Sequence, residues 1–238
     1  YMNFPKHIAI IPDGNRRWAK KKGLLSFLGH NKGAEVAEEI IKEAINLKIP
    51  YFTFWGCSVN NIVKRSKIEV SFLFKIFEKQ FKRILENEDI YKNKIKINVF
   101  GKWKELFPKK TSAIIENAIK KTESHNNYHL NFLLAYSGKD EMTETIKNIS
   151  DLKLKNKNLE INESLIKNNL WTKNSPPVDL VIRTGEGDNL AHWSDGFMMW
   201  DTASSQFYFT KTLWPDFNKK EFKKAIDKFS FTEKRLGK

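Results

Sequence analysis

Short apolar runs and amphipathic runs alternate along this chain. Near-continuous apolar stretches at residues 7–12, 51–57, 95–100, 130–136, 180–183 and 207–210 have the length and the branched or aromatic content of buried strands. Between them, apolar residues recur three and four apart over residues 32–47, 67–85, 111–121, 140–149, 162–170 and 219–229, which predicts helices. Strands that are apolar on both faces and separated by helices predict an α/β fold with a mostly parallel central sheet flanked by helices. The Lys- and Asn-rich stretch 153–169 reads as a surface connection with a poorly defined helix. No repeat or low-complexity linker divides the chain, so residues 1–238 are read as one domain.

Ligands of such sheets bind outside the carboxyl ends of the strands. Polar motifs at Asp13, Ser58 and Arg183 each directly follow a predicted strand, and one crevice could gather all three. The first motif carries the most chemistry. After the apolar run ending at Pro12 come Asp13, Gly14, Asn15, Arg16, Arg17 and Trp18. An oligophosphate suits that mixture: glycine lets the backbone approach, helix N-terminal amides face the anion, and guanidiniums grip phosphate oxygens in pairs. The carboxylate can hold Mg²⁺ against the same oxygens. Taken alone, an Asp-Gly-Asn could equally be a solvated turn before a basic helix.

Composition narrows the picture further. The formal charge is +14, and of 42 basic residues only six are Arg, at positions 16, 17, 65, 83, 183 and 235. Most of the charge reads as solvated Lys-rich helix faces, with a share available to phosphorylated substrates or an anionic membrane surface. No helix-turn-helix, zinc-finger or RNP pattern supports nucleic acid. A chain that writes Lys wherever a plain charge suffices should keep Arg where a bidentate fork is needed. Only Arg83 falls in an ordinary amphipathic run. No stretch reaches the ~20 apolar residues of a membrane span, no secretory leader opens the sequence, and the lone Cys57 cannot form an internal disulfide. The expectation is a cytoplasmic protein, with peripheral contact to the inner face of the membrane left open.

The opening motif, Gly29-His30, Arg65-Ser66 with Glu69-Val70, Val181-Ile182-Arg183-Thr184-Gly185, Met198-Met199-Trp200, Phe207-Tyr208-Phe209 and Leu213-Trp214-Pro215-Asp216-Phe217 together resemble the cis-prenyltransferases, the undecaprenyl diphosphate synthase family. The resemblance runs from His7 to Gly237 and implies that family's fold. It implies a Mg²⁺-dependent transferase in which Asp13 is the metal-binding and catalytic carboxylate. Gly14, Asn15, Arg16, Arg17, Trp18 and His30 would bind the allylic diphosphate, with Ser58, Arg65, Arg183, His192 and Ser194 as further substrate contacts. Asn61 occupies the family position closest to proton removal, although an amide is a weak base. A homodimer is implied as well, and the Arg235-Leu236-Gly237 tail resembles one that reaches the active site in some members.

Departures from the family pattern cluster at the second, homoallylic site. There Asn60 replaces a Glu and Ile62 an aromatic, and one extra residue precedes Arg65, while the first diphosphate site departs only at Ser26, which replaces an Arg. Where the family writes Arg-x-Ser-Asn-Phe, this chain has His192-Trp193-Ser194-Asp195-Gly196-Phe197, and Gln206 replaces a Glu that helps hold Mg²⁺. The sequence thus reads as a prenyltransferase condensing an allylic diphosphate with isopentenyl diphosphate or a second allylic diphosphate, giving short to medium products. The alternative is a catalytically weak partner subunit. Val70, Leu73, Phe74, Phe77, Phe81 and Ile84 share one helical face, which is either core or tunnel wall. The pair Leu133-Leu134 is expected to narrow that tunnel.

Overall fold

The computed structural model describes residues 4–186 and 192–231. In chain order the elements are β1 (His7–Ile11), α1 (Asn15–Lys21), α2 (Ser26–Asn46), β2 (Tyr51–Ser58), α3 (Val59–Lys64), α4 (Lys67–Glu86) and α5 (Glu88–Lys92). They continue with β3 (Ile95–Phe100), α6 (Trp103–Leu106), α7 (Lys109–Lys121), β4 (Tyr128–Tyr136), α8 (Gly138–Lys155) and α9 (Glu163–Asn169). Last come β5 (Leu180–Arg183), β6 (Gln206–Phe209), a 3₁₀ turn (Trp214–Asp216) and α10 (Lys219–Phe231). The strands form one parallel sheet in the order β3-β4-β2-β1-β5-β6.

Each expected strand is present. Four short helices, α1, α3, α5 and α6, were not legible as amphipathic runs because each spans seven residues or fewer, and α1 and α3 carry polar site residues instead of a stripe. The helix expected from residue 32 starts at Ser26, and the one expected over 140–149 runs from Gly138 to Lys155, three residues into the supposed connection.

Strand alternation splits the core between the two faces of the sheet. Ile8, Ile10, Phe52, Ile97, Leu134 and Ile182 face α2, α4, α7 and α10, while Ala9, Ile11, Leu133 and Val181 face the layer holding Phe197 and Met198. On β2 the alternation breaks at Gly56, where the ladder skips a residue between Trp55 and Cys57. The resulting bulge leaves Trp55 on the Phe197 face and Cys57 on the opposite one.

Two buried polar chains tie the sheet to its connections. His7 is fully buried; its Nδ1–H donates to the Pro176 carbonyl (2.8 Å), so Nε2 accepts from the Thr53 hydroxyl (2.8 Å), whose oxygen in turn accepts from Asn131 (3.1 Å). In the second, Glu141 accepts from Tyr136 Oη (2.5 Å) and the Thr172 amide (3.0 Å), and the Thr172 hydroxyl reaches Asp201 Oδ2 (2.6 Å). Lys167 Nζ completes it at 2.5 Å from Asp201. This network anchors the segment that delivers His192, Ser194 and Asp195 to the carboxyl end of the sheet.

Candidate active site

The site begins where β1 ends. Gly14 caps α1 with φ of +115°, and a Cβ there would lie 2.8–3.0 Å from Leu213, so backbone conformation and close packing both require glycine. Asp13 is pinned through its main chain: its carbonyl accepts from the Thr184 hydroxyl (2.8 Å) and from the Trp214 amide (3.0 Å). The half-exposed Asp13 carboxylate faces Arg17 Nη2 at 3.3 Å and Arg183 Nη2 at 3.4 Å.

Arg183, at the end of β5, is buried and fully engaged. Nη1 donates to the His192 carbonyl (2.8 Å) and Ser194 Oγ (2.6 Å), Nη2 meets Asp13 and His192 Nε2 (3.2 Å), and Nε pairs with buried Glu186. One guanidinium thereby ties β1, β5 and the 192–195 segment together.

The opposite wall comes from β2, α3 and α4. Ser58 and Asn61 form a reciprocal cap: Ser58 Oγ accepts from the Asn61 amide (3.1 Å), and Asn61 Oδ1 accepts from the Ser58 amide (3.2 Å). Glu69 collects three basic groups, with Arg65 at 3.0 Å, His30 Nε2 at 3.5 Å and Arg16 at 4.0 Å. Burial and the adjacent Arg65 guanidinium pull His30 down to about 4, against the opposing pull of Glu69, so the imidazole is neutral at physiological pH. A neutral His30 offers one N–H to a ligand, not a second positive charge.

These walls enclose a polar cavity of about 630 Å³. Among the described residues, Arg16, Arg17, Lys64, Arg65 and Arg183 line it against two carboxylates, Asp13 and Asp195. The excess of positive charge suits a multiply charged anion. The indole N–H of Trp55, which also lines the cavity, is buried and finds no partner among the described residues.

An apolar cavity of about 370 Å³ adjoins it, between the sheet and α2 and α4. The two share Gly56, the bulged residue of β2; a Cβ there would lie 2.6 Å from Leu134 Cδ2 and 3.3 Å from Phe77. Of the α4 face read from the sequence, Phe77, Phe81 and Ile84 line this cavity, whereas Val70, Leu73 and Phe74 do not. Leu134 lines it too, but Leu133 points to the other face of the sheet, so only half of the expected narrowing pair acts there.

Gly14, Asn15, Arg16, Arg17, His30, Ser58, Asn61, Arg65, Arg183 and Ser194 all line the polar cavity with Asp13. Trp18 does not. Its indole donates to Asp216 (2.7 Å) and fastens α1 to the 3₁₀ turn, so its contribution is positional. His192 is mostly exposed and reaches the site through Arg183 and Ser194 (3.2 Å) instead of lining it. Gln206 opens β6 opposite Leu180, three residues, roughly 10 Å, before the strand end that carries the site, and it does not line the polar cavity. The Arg235–Gly237 tail lies outside the described residues, as do residues 187–191. Lys64, Glu186 and Gly56 escaped the sequence reading, in which Asp195 and Thr184 appear within motifs but without a role. Of the three, only Gly56, a small residue amid large apolar ones, carried a visible signal.

An α/β domain whose strand ends surround a cationic cavity, with an apolar cavity adjoining it at Gly56, suits a ligand that joins an anionic group to a hydrocarbon tail. Comparison with known proteins makes this specific. Residues 11–237 match the family model described as "Putative undecaprenyl diphosphate synthase". The chain is 37% identical over 235 residues to the tritrans,polycis-undecaprenyl-diphosphate synthase (geranylgeranyl-diphosphate specific) of Pyrococcus furiosus, covering 98% of this chain and 87% of that one. It is 35% identical over 236 residues to the isoprenyl transferase of Thermotoga maritima, covering 99% and 98%. Among solved structures, lavandulyl diphosphate synthase from Lavandula x intermedia in complex with dimethylallyl diphosphate superposes with a TM-score of 0.89 at 29% identity, covering 99% of both chains. The chain belongs to the undecaprenyl diphosphate synthase family and is a cis-type prenyltransferase.

Proposed function

We propose that this enzyme transfers the prenyl group of an allylic diphosphate to the double bond of a second prenyl diphosphate, releasing pyrophosphate and giving short to medium products. The observation carrying this reading is the pair of cavities meeting at Gly56: a diphosphate at Arg16, Arg17 and Arg65 would lie beside the opening for its tail. The acceptor is either isopentenyl diphosphate or a second allylic diphosphate. The first choice is supported by the undecaprenyl diphosphate synthase relatives. The second draws on the likeness to lavandulyl diphosphate synthase and on Asn60 and His192, which depart from the family pattern at the acceptor site. An apolar cavity near the lower end of the ~300–1,000 Å³ range of ligand pockets supports few condensations.

The residues present fit Mg²⁺. No group of three potential ligands is found among the described residues, but Mg²⁺ needs only one or two carboxylates when substrate phosphates complete its shell, and Asp13 is a half-exposed carboxylate in the phosphate-binding cavity. Bound there, the metal would neutralise charge on the leaving pyrophosphate. The chain's own part is to hold the phosphates through Arg16, Arg17 and Arg65, to fix Asp13 through Arg183 and Thr184, and to keep the tail out of water. Pairing of two chains is proposed across the sheet edge, where Phe207 and Phe209 stack, partly exposed, on β6. No described helix is long and apolar enough to cross a membrane. We place the enzyme in the cytoplasm, with its basic surface available to an anionic membrane.

Purified protein with Mg²⁺, isopentenyl diphosphate, dimethylallyl diphosphate and longer allylic diphosphates tests the reading by chromatography of the dephosphorylated products. Short products are expected. A ladder of ten or more isoprene units would reject the chain-length assignment, and no product with any pair would favour the partner-subunit reading.

A further inference from the structure

Two carboxylates line the polar cavity among the described residues, and their surroundings differ. Asp13 sits between two guanidiniums. Asp195 is met by the side-chain amide of Asn60, whose Nδ2 donates to Oδ2 at 3.4 Å, and no ion pair to it is found among the described residues.

The mounting of Asp195 is unusual as well. Its φ is +46°, in the left-handed region that non-glycine residues rarely adopt, and Gly196 follows at +62°. Such a conformation persists only where its surroundings dictate it. Here the Asp195 carbonyl accepts from the Gly138 amide (3.1 Å), Ser194 is held by Arg183 (2.6 Å), and the Trp193 indole donates to the Phe197 carbonyl (2.8 Å). The turn is fastened on both sides of the carboxylate that it presents to the cavity.

Prenyl transfer needs a proton acceptor. The allylic C–O bond breaks and its electron pair leaves with pyrophosphate. The acceptor's double bond supplies the pair for the new C–C bond, leaving a cationic carbon. A neighbouring C–H bond then breaks, its pair becomes the product double bond, and the proton must go to a base. Asn61 is poorly suited, because its carbonyl oxygen is occupied by the Ser58 amide and an amide is scarcely basic. His30 is turned towards Arg65 and Glu69 on the far wall. Resting on the prenyl-transfer reading above, we infer that Asp195 is the general base that takes this proton. Its carboxylate lines the cavity beside Asn60, and neither a guanidinium nor an ammonium pairs with it among the described residues.

The test compares wild type with Asp195→Asn and Asp195→Glu, using the acceptor with and without deuterium at the carbon that loses the proton. The Asn variant should lose roughly a hundredfold or more in kcat, the usual scale for a general base, with the allylic KM changed less than about threefold. Its remaining turnover should show a primary deuterium isotope effect absent from wild type, because proton removal has become limiting. The Glu variant should recover most of kcat. An Asn variant with more than about a third of wild-type kcat, or a slow one without an isotope effect, would overturn the assignment while leaving prenyl transfer intact. A wild-type chain inert with every substrate pair would overturn both.

Discussion

Arg183 uses each nitrogen of its guanidinium, and no other side chain could do so from that position. An ammonium on a shorter reach cannot meet Asp13, Ser194, the His192 carbonyl and Glu186 together. Arg183→Lys should therefore cut kcat/KM by roughly tenfold or more, on the scale of ~1.5–3 kcal/mol for a charged hydrogen bond, and a steady-state assay reads it directly. Arg83→Lys is the control. Arg83 pairs with Glu38 (2.9 Å) on an exposed surface where Lys can replace it, and activity should stay within about twofold. Asp13→Ala should abolish most turnover and leave the circular dichroism spectrum unchanged, since the fold is held there by the Asp13 main chain and not by its carboxylate. Near-full Mg²⁺-dependent activity in that variant would remove Asp13 from the chemistry. The scarcity of Arg made several of these positions legible in advance. The pairing of Arg183 with Glu186 was not legible, because Glu186 stands in a loop whose path no local pattern encodes.

At the scale of elements, β2 and α4 decide what the apolar cavity can hold. The periodicity of α4 marks an apolar face, but it cannot say that Phe77, Phe81 and Ile84 border empty space while Leu73 packs against neighbours. That distinction is made by what stands opposite, and Gly56 and Leu134 of the sheet stand opposite the C-terminal half. Phe77→Ala should enlarge the cavity and lengthen the principal product by at least one isoprene unit, as chromatography would reveal. Its stability cost should fall below the ~3–5 kcal/mol of a fully buried Phe, because Phe77 is only partly buried and one of its packing partners is Phe107 at 5.6 Å. An unchanged product pattern would show that this cavity does not receive the tail. The bulge at Gly56 illustrates a second limit of sequence reading: a glycine in an apolar run signals close approach or a bulge, and only the ladder says which.

For the molecule as a whole, acid should act through the buried histidines. Burial holds His7 at about 4, below its ordinary 6.5, against the raising effect of the Pro176 carbonyl. Above about pH 6.5 both folded and unfolded chains carry it neutral. Below that, the unfolded chain gains a proton that the folded one refuses, so stability falls as pH drops from 6.5 towards 4 and His7 contributes no further loss below. The loss from His7 alone is about 3 kcal/mol, and His30, depressed in the same direction, adds to it. Urea midpoints near pH 7 and near pH 4 should differ accordingly. In His7→Gln, which cannot titrate, the difference should shrink, and an unchanged difference would exclude His7 as the source.

The alternation of apolar strands and amphipathic helices by itself determined the fold class, because a parallel sheet covered on both faces demands continuous apolar strands. The motif after β1 likewise announced a phosphate site, since glycine, carboxylate and paired guanidiniums are needed together and locally. Tertiary structure alone decided which residues share that site. It placed Gln206 at the start of β6, turned Leu133 away from its neighbour, gave Trp18 a structural partner in Asp216 and set Asp195 against Asn60, 135 positions earlier. Those outcomes depend on strand order, register and loop path, which arise from contacts between residues far apart in the chain and leave no mark on any short stretch of it.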